Sequence, residues 1–214
     1  MADPLRLPRI KVCGLARAED VAVALEAGAD GLGFVLHPAS PRGVDVATAR
    51  RLAAHVPSEV TTVAVVVDAS PDGALDLLDA TGIEMLQLCG AQRAADWNNF
   101  PRPLLRRIPV QPGAESELAA WAAFARGFVL DHPSTPGGSG RTVDLHLAAE
   151  FCSDYPCLLA GGLDAARVGD AVLTARPFGV DASSRLERTP GEKDHDAVRR
   201  FVTSAIEAFR ELNA

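Results

Sequence analysis

Short apolar runs alternate along the chain with longer segments of helical periodicity. Each apolar run spans four to seven residues, a length typical of strands that are buried on both faces. The runs are "IKVC" (10–13), "GLGFVL" (31–36), "TTVAVVV" (61–67), "MLQL" (85–88), "LLRRI" (104–108), "GFVLD" (127–131), "PCLLA" (156–160) and "FGVDAS" (178–183).

The segments between these runs place apolar residues three and four positions apart, which predicts amphipathic helices. In the first, Val21, Ala24 and Leu25 share one face and Gly28 ends the helix. The predicted helices cover residues 17–27, 45–55, 71–80, 91–98, 114–123, 143–151, 164–174 and 194–211.

Eight strand–helix pairs at even spacing favour an α/β fold of the (β/α)8 TIM barrel type. An open, doubly wound sheet is the alternative. The turn after the first strand, "CGLARAED", lacks the G-x-G-x-x-G pattern of nucleotide-binding sheets of that kind. Because no linker or low-complexity stretch interrupts the repeat, residues 1–214 are predicted to form a single domain.

Composition narrows the class of partner. Hydrophobic residues make up 48% of the 214 residues, enough for a full core, and the formal charge of −7 argues against nucleic acid. The N-terminal "MADPLRLPRI" and the other segments lack the apolar length of a signal peptide or membrane span. Four cysteines at irregular spacing resemble no zinc site and indicate reduced thiols, so we expect a cytoplasmic protein without metal.

Two titratable residues lie where barrel strands end, which is where this fold carries its chemistry. Asp131 closes the sixth apolar run, and a carboxyl there suits a general acid, although a turn cap is the alternative. Cys13 closes the first run. Its thiolate would serve as base or nucleophile, with Lys11 on the same strand face lowering the pKa of the thiol. The alternative for Cys13 is a small buried hydrophobe.

Two further charged groups need partners at these strand ends. Lys11 inside a barrel requires an anion, and Asp181 on the neighbouring eighth strand is the candidate. Arg42, in "SPRG" after the second strand, suits bidentate contact with a carboxylate, although a lone loop arginine is more often solvated.

Glycines and hydroxyls in the last three strand–helix loops predict a phosphate site. Glycine permits close approach of the backbone, and helix N-termini present N–H groups that suit an anion. Tight turns are the alternative, but three converging segments favour a small phosphorylated ligand. The segments contribute Gly137, Gly138, Gly140, Gly161, Gly162, Ser183 and Ser184.

Seven segments in order resemble the phosphoribosylanthranilate isomerase family. They are "KVCG", "GADGLGFVLHPASPR", "QLCG", "LDHPSTPGGSGRTVD", "LAGGL", "RPFGVDASS" and "PGEKDHDAVRRF". The resemblance implies a (β/α)8 barrel that isomerises N-(5-phosphoribosyl)anthranilate to the carboxyphenylamino-deoxyribulose phosphate without metal or cofactor. Members of this family occur as monomers and homodimers.

The resemblance also implies a role for each candidate residue. Cys13 matches the general base of an Amadori rearrangement and Asp131 its general acid, while Arg42 matches the residue that holds the anthranilate carboxylate. Asp181 matches an aspartate that orients the substrate, and with this resemblance we assign Lys11, Arg42 and Asp181 to substrate binding. Backbone groups that match the phosphate site belong to Gly138, Gly140, Gly162, Ser183 and Ser184.

Three positions depart from the family pattern. Cys89 stands where histidine is usual, Arg185 where glycine is common, and Leu145 where tryptophan is usual, which we interpret as packing. The first two leave open a related phosphosugar barrel with a different substrate. A catalytically idle phosphate-binding barrel is a third reading, against which the retained Cys13 and Asp131 argue.

Overall fold

A computed structural model describes residues 7–133 and 142–214. Eight parallel strands pair in chain order and close on themselves, which confirms the predicted (β/α)8 barrel. The strands are β1 (Ile10–Cys13), β2 (Gly31–Val35), β3 (Thr61–Val67), β4 (Met85–Cys89), β5 (Leu104–Pro109), β6 (Gly127–Asp131), β7 (Cys157–Leu159) and β8 (Gly179–Ala182).

Helices follow the strands, and polar side chains begin several of them. Ser70 accepts a hydrogen bond from the Gly73 amide, and Asp45, Asp144 and Asp194 cap their helices in the same way. The helices are α1 (Ala18–Ala27), α2 (Val46–Ala53), α3 (Pro71–Thr81), α4 (Glu115–Trp121), α5 (Leu145–Asp154), α6 (Val168–Ala175) and α7 (His195–Leu212).

The helix predicted over 91–98 is wrong, because only a 3-10 turn, Ala94–Trp97, forms there. Two asparagines follow it, and Pro101 disfavours helical backbone at the residue before it. Buried Trp97 packs edge-on against Phe100 and beside Trp121, so aromatic contacts fill the space that a helix would cover.

A small hairpin between β8 and α7 is absent from the sequence prediction. It follows a 3-10 turn, Ser184–Leu186, and consists of β9 (Glu187–Thr189) and β10 (Glu192–Lys193), paired antiparallel. The hairpin carries two buried charged groups, Glu187 and Lys193, to the end of β8.

The core has two parts, one on each face of the barrel. The larger part lies between strands and helices, and the smaller fills the barrel interior with Val63, Met85, Leu105, Val129, Leu158 and Ala160. This double burial explains why the strands read as continuous apolar runs. Across residues 7–133 and 142–214, no helix has the length and apolar character that crossing a membrane requires.

Glycines on β2 make room for the side chains of β1. A Cβ atom on Gly33 would lie 2.7 Å from Cys13 Sγ and 3.1 Å from Cys13 Cα. A Cβ atom on Gly31 would lie 3.2 Å from Lys11 Cβ. Small residues at these two positions therefore let a lysine and a cysteine occupy the barrel interior.

We expect Gly33→Ala to lower the free energy of unfolding by about 1–3 kcal/mol, because the added methyl group overlaps Cys13 and neither backbone can retreat. Urea unfolding followed by circular dichroism measures the change.

Gly169→Ala is the matched control, because Gly169 lies in α6 and a Cβ atom there would meet nothing within 4 Å. We expect it to be neutral or to raise stability by up to about 1 kcal/mol. Equal stability of the two variants would contradict the packing account of β2.

Candidate active site

Charged and sulfur-bearing side chains line the C-terminal end of the barrel interior. Strand residues two positions apart share a face, so the residues that follow interior Met85, Leu105 and Val129 by two also point inward. This alternation turns seven side chains toward one mouth: Lys11, Cys13, Gln87, Cys89, Arg107, Asp131 and Asp181.

Lys11 and Asp181 form the ion pair that the sequence predicts. They lie directly opposite each other in the β1–β8 register, and Lys11 Nζ donates to Asp181 Oδ1 over 2.9 Å. The lysine side chain is fully buried and that of Asp181 is 9% exposed. Burial acts to lower the pKa of Lys11, but the negative charge of Asp181, together with interactions with Cys13, outweighs burial, so the pKa is raised and the ammonium form persists.

Burial sets the protonation state of Cys13. It raises the pKa of the thiol above its ordinary value, although Lys11 and Lys193 act in the opposite direction. Lys11 does act to lower the pKa of Cys13, as predicted, but its effect is smaller than that of burial. Removing a thiolate from water costs more free energy than the attraction of an ammonium already paired with Asp181 offsets. A thiol whose pKa lies above its ordinary value is protonated at neutral pH.

Asp131 ends β6 with both carboxylate oxygens held. Arg107 Nε donates to Oδ2 over 3.0 Å, and the His132 amide donates to Oδ1 over 2.8 Å. Burial raises the pKa of Asp181, with Lys11 opposing it and the charge of Asp131 adding to it. The electrostatic contact with Asp181 places Asp131 in the same mouth as the β1 residues.

Arg42 is already engaged by a carboxylate of this chain. Its Nε and Nη2 donate to Glu187 at 2.8–3.1 Å, and Glu187 also accepts from Lys193 Nζ at 2.9 Å. Among the described residues, Nη1 of Arg42 makes no hydrogen bond and faces no carboxylate within 4.0 Å. Neither Glu187 nor Lys193 was predicted from the sequence as a site residue, although the segment "PGEKD" contains the lysine.

Gly14 brings the arginine and the phosphate loop together beside Cys13. Its backbone is left-handed, with φ of 74°, and a Cβ atom there would lie 2.8 Å from both Arg42 Cδ and Ser183 Oγ. Lys193 Nζ donates to the Ser183 carbonyl over 3.2 Å. The thiol, the arginine and Ser183 are thus near neighbours.

The candidate phosphate residues lie partly within the described structure. Gly161 and Gly162 follow β7 with φ of 82° and 67°, and Ser183 follows β8, the adjacent strand. Ser184 begins a 3-10 turn. Gly137, Gly138 and Gly140 lie outside the described residues.

The helix predicted over 164–174 begins four residues later than predicted, at Val168. Asp164 accounts for part of the delay, because its carboxylate caps a turn by accepting from the Ala166 and Arg167 amides. An anion near Gly161 and Gly162 would therefore meet loop amides rather than the first turn of α6.

Comparison with known proteins identifies the family. The family model described as N-(5'phosphoribosyl)anthranilate (PRA) isomerase matches residues 10–204. The N-(5'-phosphoribosyl)anthranilate isomerase of Pseudomonas putida strain W619 is 40% identical over 94% of this chain and 98% of its own. The chain belongs to the phosphoribosylanthranilate isomerase family.

Solved structures agree with the family in fold. The phosphoribosylanthranilate isomerase of Thermotoga maritima superposes with a TM-score of 0.87 at 30% identity, covering 94% of this chain and all of that one. The TrpF structure from Jonesia denitrificans gives 0.80 at 33% identity, covering 97% and 99%. A further isomerase structure, with TM-score 0.81 at 29% identity over 94% and 100%, contains reduced 1-(o-carboxyphenylamino)-1-deoxyribulose 5-phosphate.

The three departures from the family pattern occupy different environments. Cys89 lies in the mouth, where burial raises the pKa of its thiol to about 11 and Gln87 Nε2 lies 3.8 Å from Sγ. Arg185 is exposed on the loop after β8. Leu145 packs partly buried against the core, which confirms the packing interpretation.

The described residues contain no group of three or more His, Cys, Asp or Glu suited to a metal.

The Arg42–Glu187–Lys193 network predicts an acid-sensitive contribution to stability. Burial acts to raise the pKa of Glu187, but the two cations outweigh it and hold the pKa below its ordinary value. A carboxylate of this kind stabilises the fold above its unfolded pKa of about 4.3, and the contribution disappears as the pH falls through the folded value.

We expect Glu187→Gln to lower the free energy of unfolding by about 3–5 kcal/mol at pH 7, because it leaves Arg42 and Lys193 buried without their anion. The difference from the unaltered protein should narrow as the pH falls below about 4.3, because Glu187 is then protonated first in the unfolded chain and, at lower pH, in the folded one. Urea unfolding across pH 3–7 measures it. Glu192→Gln in the same hairpin changes exposed contacts, an ion pair with Arg17 and a hydrogen bond from Thr189, and should alter stability little. A difference independent of pH would contradict the account.

Proposed function

We propose that this protein is the N-(5'-phosphoribosyl)anthranilate isomerase of tryptophan biosynthesis. It converts its substrate to 1-(o-carboxyphenylamino)-1-deoxyribulose 5-phosphate by general acid–base catalysis. The observation that carries the proposal is a carboxyl, Asp131, and a thiol, Cys13, on separate strands around one barrel mouth. The family match over residues 10–204 supports the same reaction.

Asp131 acts as the general acid. It gives its proton to the furanose ring oxygen, the bond between that oxygen and C1 breaks, and the nitrogen lone pair forms a C1=N Schiff base. Its place at the last position of β6 supports this role, because the strand ends of this fold face the mouth where a substrate binds.

Cys13 acts as the general base. Its thiolate removes the proton from C2 of the sugar, the C–H electrons form a C1=C2 bond, and the C1=N π electrons return to nitrogen. The resulting enolamine relaxes to the ketone when C1 takes up a proton and the C2 hydroxyl loses its own. The raised pKa of the thiol makes the thiolate scarcer but a stronger base once formed. Lys11 and Lys193 favour the thiolate.

The two anionic ends of the substrate occupy different parts of the mouth. Nη1 of Arg42 holds the anthranilate carboxylate, while Glu187 keeps the other edge of the guanidinium fixed. The phosphate is held by backbone groups of Gly161 and Gly162 and by Ser183 and Ser184, together with Gly138 and Gly140. Lys11 and Asp181 orient the sugar, which lies between the phosphate and the anthranilate group of the substrate.

The enzyme acts in the cytoplasm as a monomer or homodimer. Its four cysteines are free thiols, as in a reducing compartment. The relative from Thermotoga maritima is described as a dimer from which monomers have been generated.

We expect Cys13→Ala and Asp131→Asn each to lower kcat by ~10²–10⁴-fold with the fold unchanged, since each removes one proton-transfer group. A steady-state assay with purified protein and phosphoribosylanthranilate measures this. Cys152→Ser on α5, away from the mouth, is the matched control and should keep full activity.

Near-normal activity of either active-site variant would show that its role is misassigned. No turnover of phosphoribosylanthranilate by the unaltered protein would rule out the proposed function and favour a phosphosugar barrel with a different substrate.

A further inference from the structure

Two consecutive arginines on β5 have different surroundings. Arg106 points outward: it donates to Glu117 of α4 at 2.7 and 3.0 Å, to Gln92 and to the Gly90 carbonyl, and lies 5.0 Å from the Trp121 ring centroid. These contacts attach α4 and the β4–β5 connection to the barrel. Arg106 is a structural residue.

Arg107 points the other way, into the mouth. It follows interior Leu105 by two positions, and its side chain is 11% exposed. Its positive charge acts to lower the pKa of the neighbouring Cys89 thiol. The mechanism described above gives it no step of its own. The role of this largely buried cation is therefore indicated by the groups that it contacts.

The guanidinium of Arg107 contacts the general acid and the residue after it. Nε donates to Asp131 Oδ2 over 3.0 Å, and Nη2 donates to the His132 carbonyl over 2.8 Å. Because the guanidinium is planar and rigid, two bonds from one fork fix the carboxylate relative to the backbone at the end of β6. The remaining oxygen, Oδ1, is held by the His132 amide.

Two ion pairs lie inside the barrel mouth, apart from the network of Arg42, Glu187 and Lys193 beside it. Lys11 neutralises Asp181 on the β1–β8 side, and Arg107 neutralises Asp131 on the β5–β6 side. Without Arg107, the carboxylate formed at Asp131 would face Asp181 with no cation of its own. Proton donation would then create an unpaired charge in a partly buried site, which is costly.

We propose that Arg107 is a positioning residue for the general acid: it fixes the Asp131 carboxyl and stabilises the carboxylate left by proton transfer. This inference rests on the proposed function, because it acts through the acid step. It assigns to Arg107 an effect on kcat and no contact with the substrate.

A double-mutant cycle between Arg107→Met and Asp131→Asn tests the inference. We expect Arg107→Met alone to lower kcat roughly 10- to 100-fold, because small misplacement of a catalytic group has effects of this size. KM should change less than about threefold. In the Asp131→Asn background, Arg107→Met should lower kcat by less than about threefold more, since the acid that it positions is gone.

Two further variants separate positioning from a merely structural role. Arg107→Lys restores a cation but not the planar fork, so kcat should recover in part and exceed that of Arg107→Met. Arg126→Met, an exposed arginine just before β6, is the matched control and should keep the kcat and KM of the unaltered protein. Circular dichroism of each variant reports its fold, and Arg107→Lys carries the test if Arg107→Met does not fold.

Three results would overturn the inference. They are an unchanged kcat in Arg107→Met, multiplicative effects of the two substitutions, and a rise in KM alone, which would make Arg107 a substrate contact. Full activity of Asp131→Asn by itself would overturn both the acid assignment and the inference. Loss of kcat in Asp131→Asn with a multiplicative cycle overturns only the role of Arg107.

Discussion

The buried ion pair between Lys11 and Asp181 is the interaction on which the active site depends. It spans the seam where β8 meets β1 and closes the barrel, so the same contact joins the last strand to the first and orders the mouth. Either charge alone in this interior would be strongly destabilising. The pair also sets the field around Cys13, because Lys11 favours the thiolate while burial and Asp181 oppose it.

A second constraint is the pairing of each cation in the mouth with an anion of the chain. Arg42 and Lys193 share Glu187, and Arg107 holds Asp131. The substrate of the proposed reaction brings a carboxylate and a phosphate into this set. Fixed, already paired cations present preorganised hydrogen-bond donors and need little rearrangement when those anions arrive. The β9–β10 hairpin matters because it places Glu187 and Lys193 within reach of Arg42 and Ser183.

Much of the barrel could be predicted from the sequence, because apolar runs and helical periodicity report local burial directly. The ion pair of Lys11 with Asp181 was also predictable, since strand alternation and barrel closure bring those positions together. Glu187 and Lys193 were not, because Arg42 lies 145 positions from Glu187 in the chain and a hairpin of five strand residues has no apolar period. Arg107 had a signal, the two-residue step from Leu105, but two adjacent arginines gave no indication of which one faces inward. The pKa of Cys13 could not be predicted, because burial and nearby charges shift it in opposite directions and no sequence motif indicates which effect is larger.

A crystal structure with reduced 1-(o-carboxyphenylamino)-1-deoxyribulose 5-phosphate bound tests the central claim most directly. The account predicts Cys13 Sγ and an Asp131 carboxylate oxygen on opposite sides of the sugar chain, each about 3–3.5 Å from its reacting atom. It also predicts Nη1 of Arg42 on the anthranilate carboxylate while Glu187 keeps its contacts with Nε and Nη2. A sugar lying beyond reach of the thiol, or a carboxylate bound away from Arg42, would contradict the account.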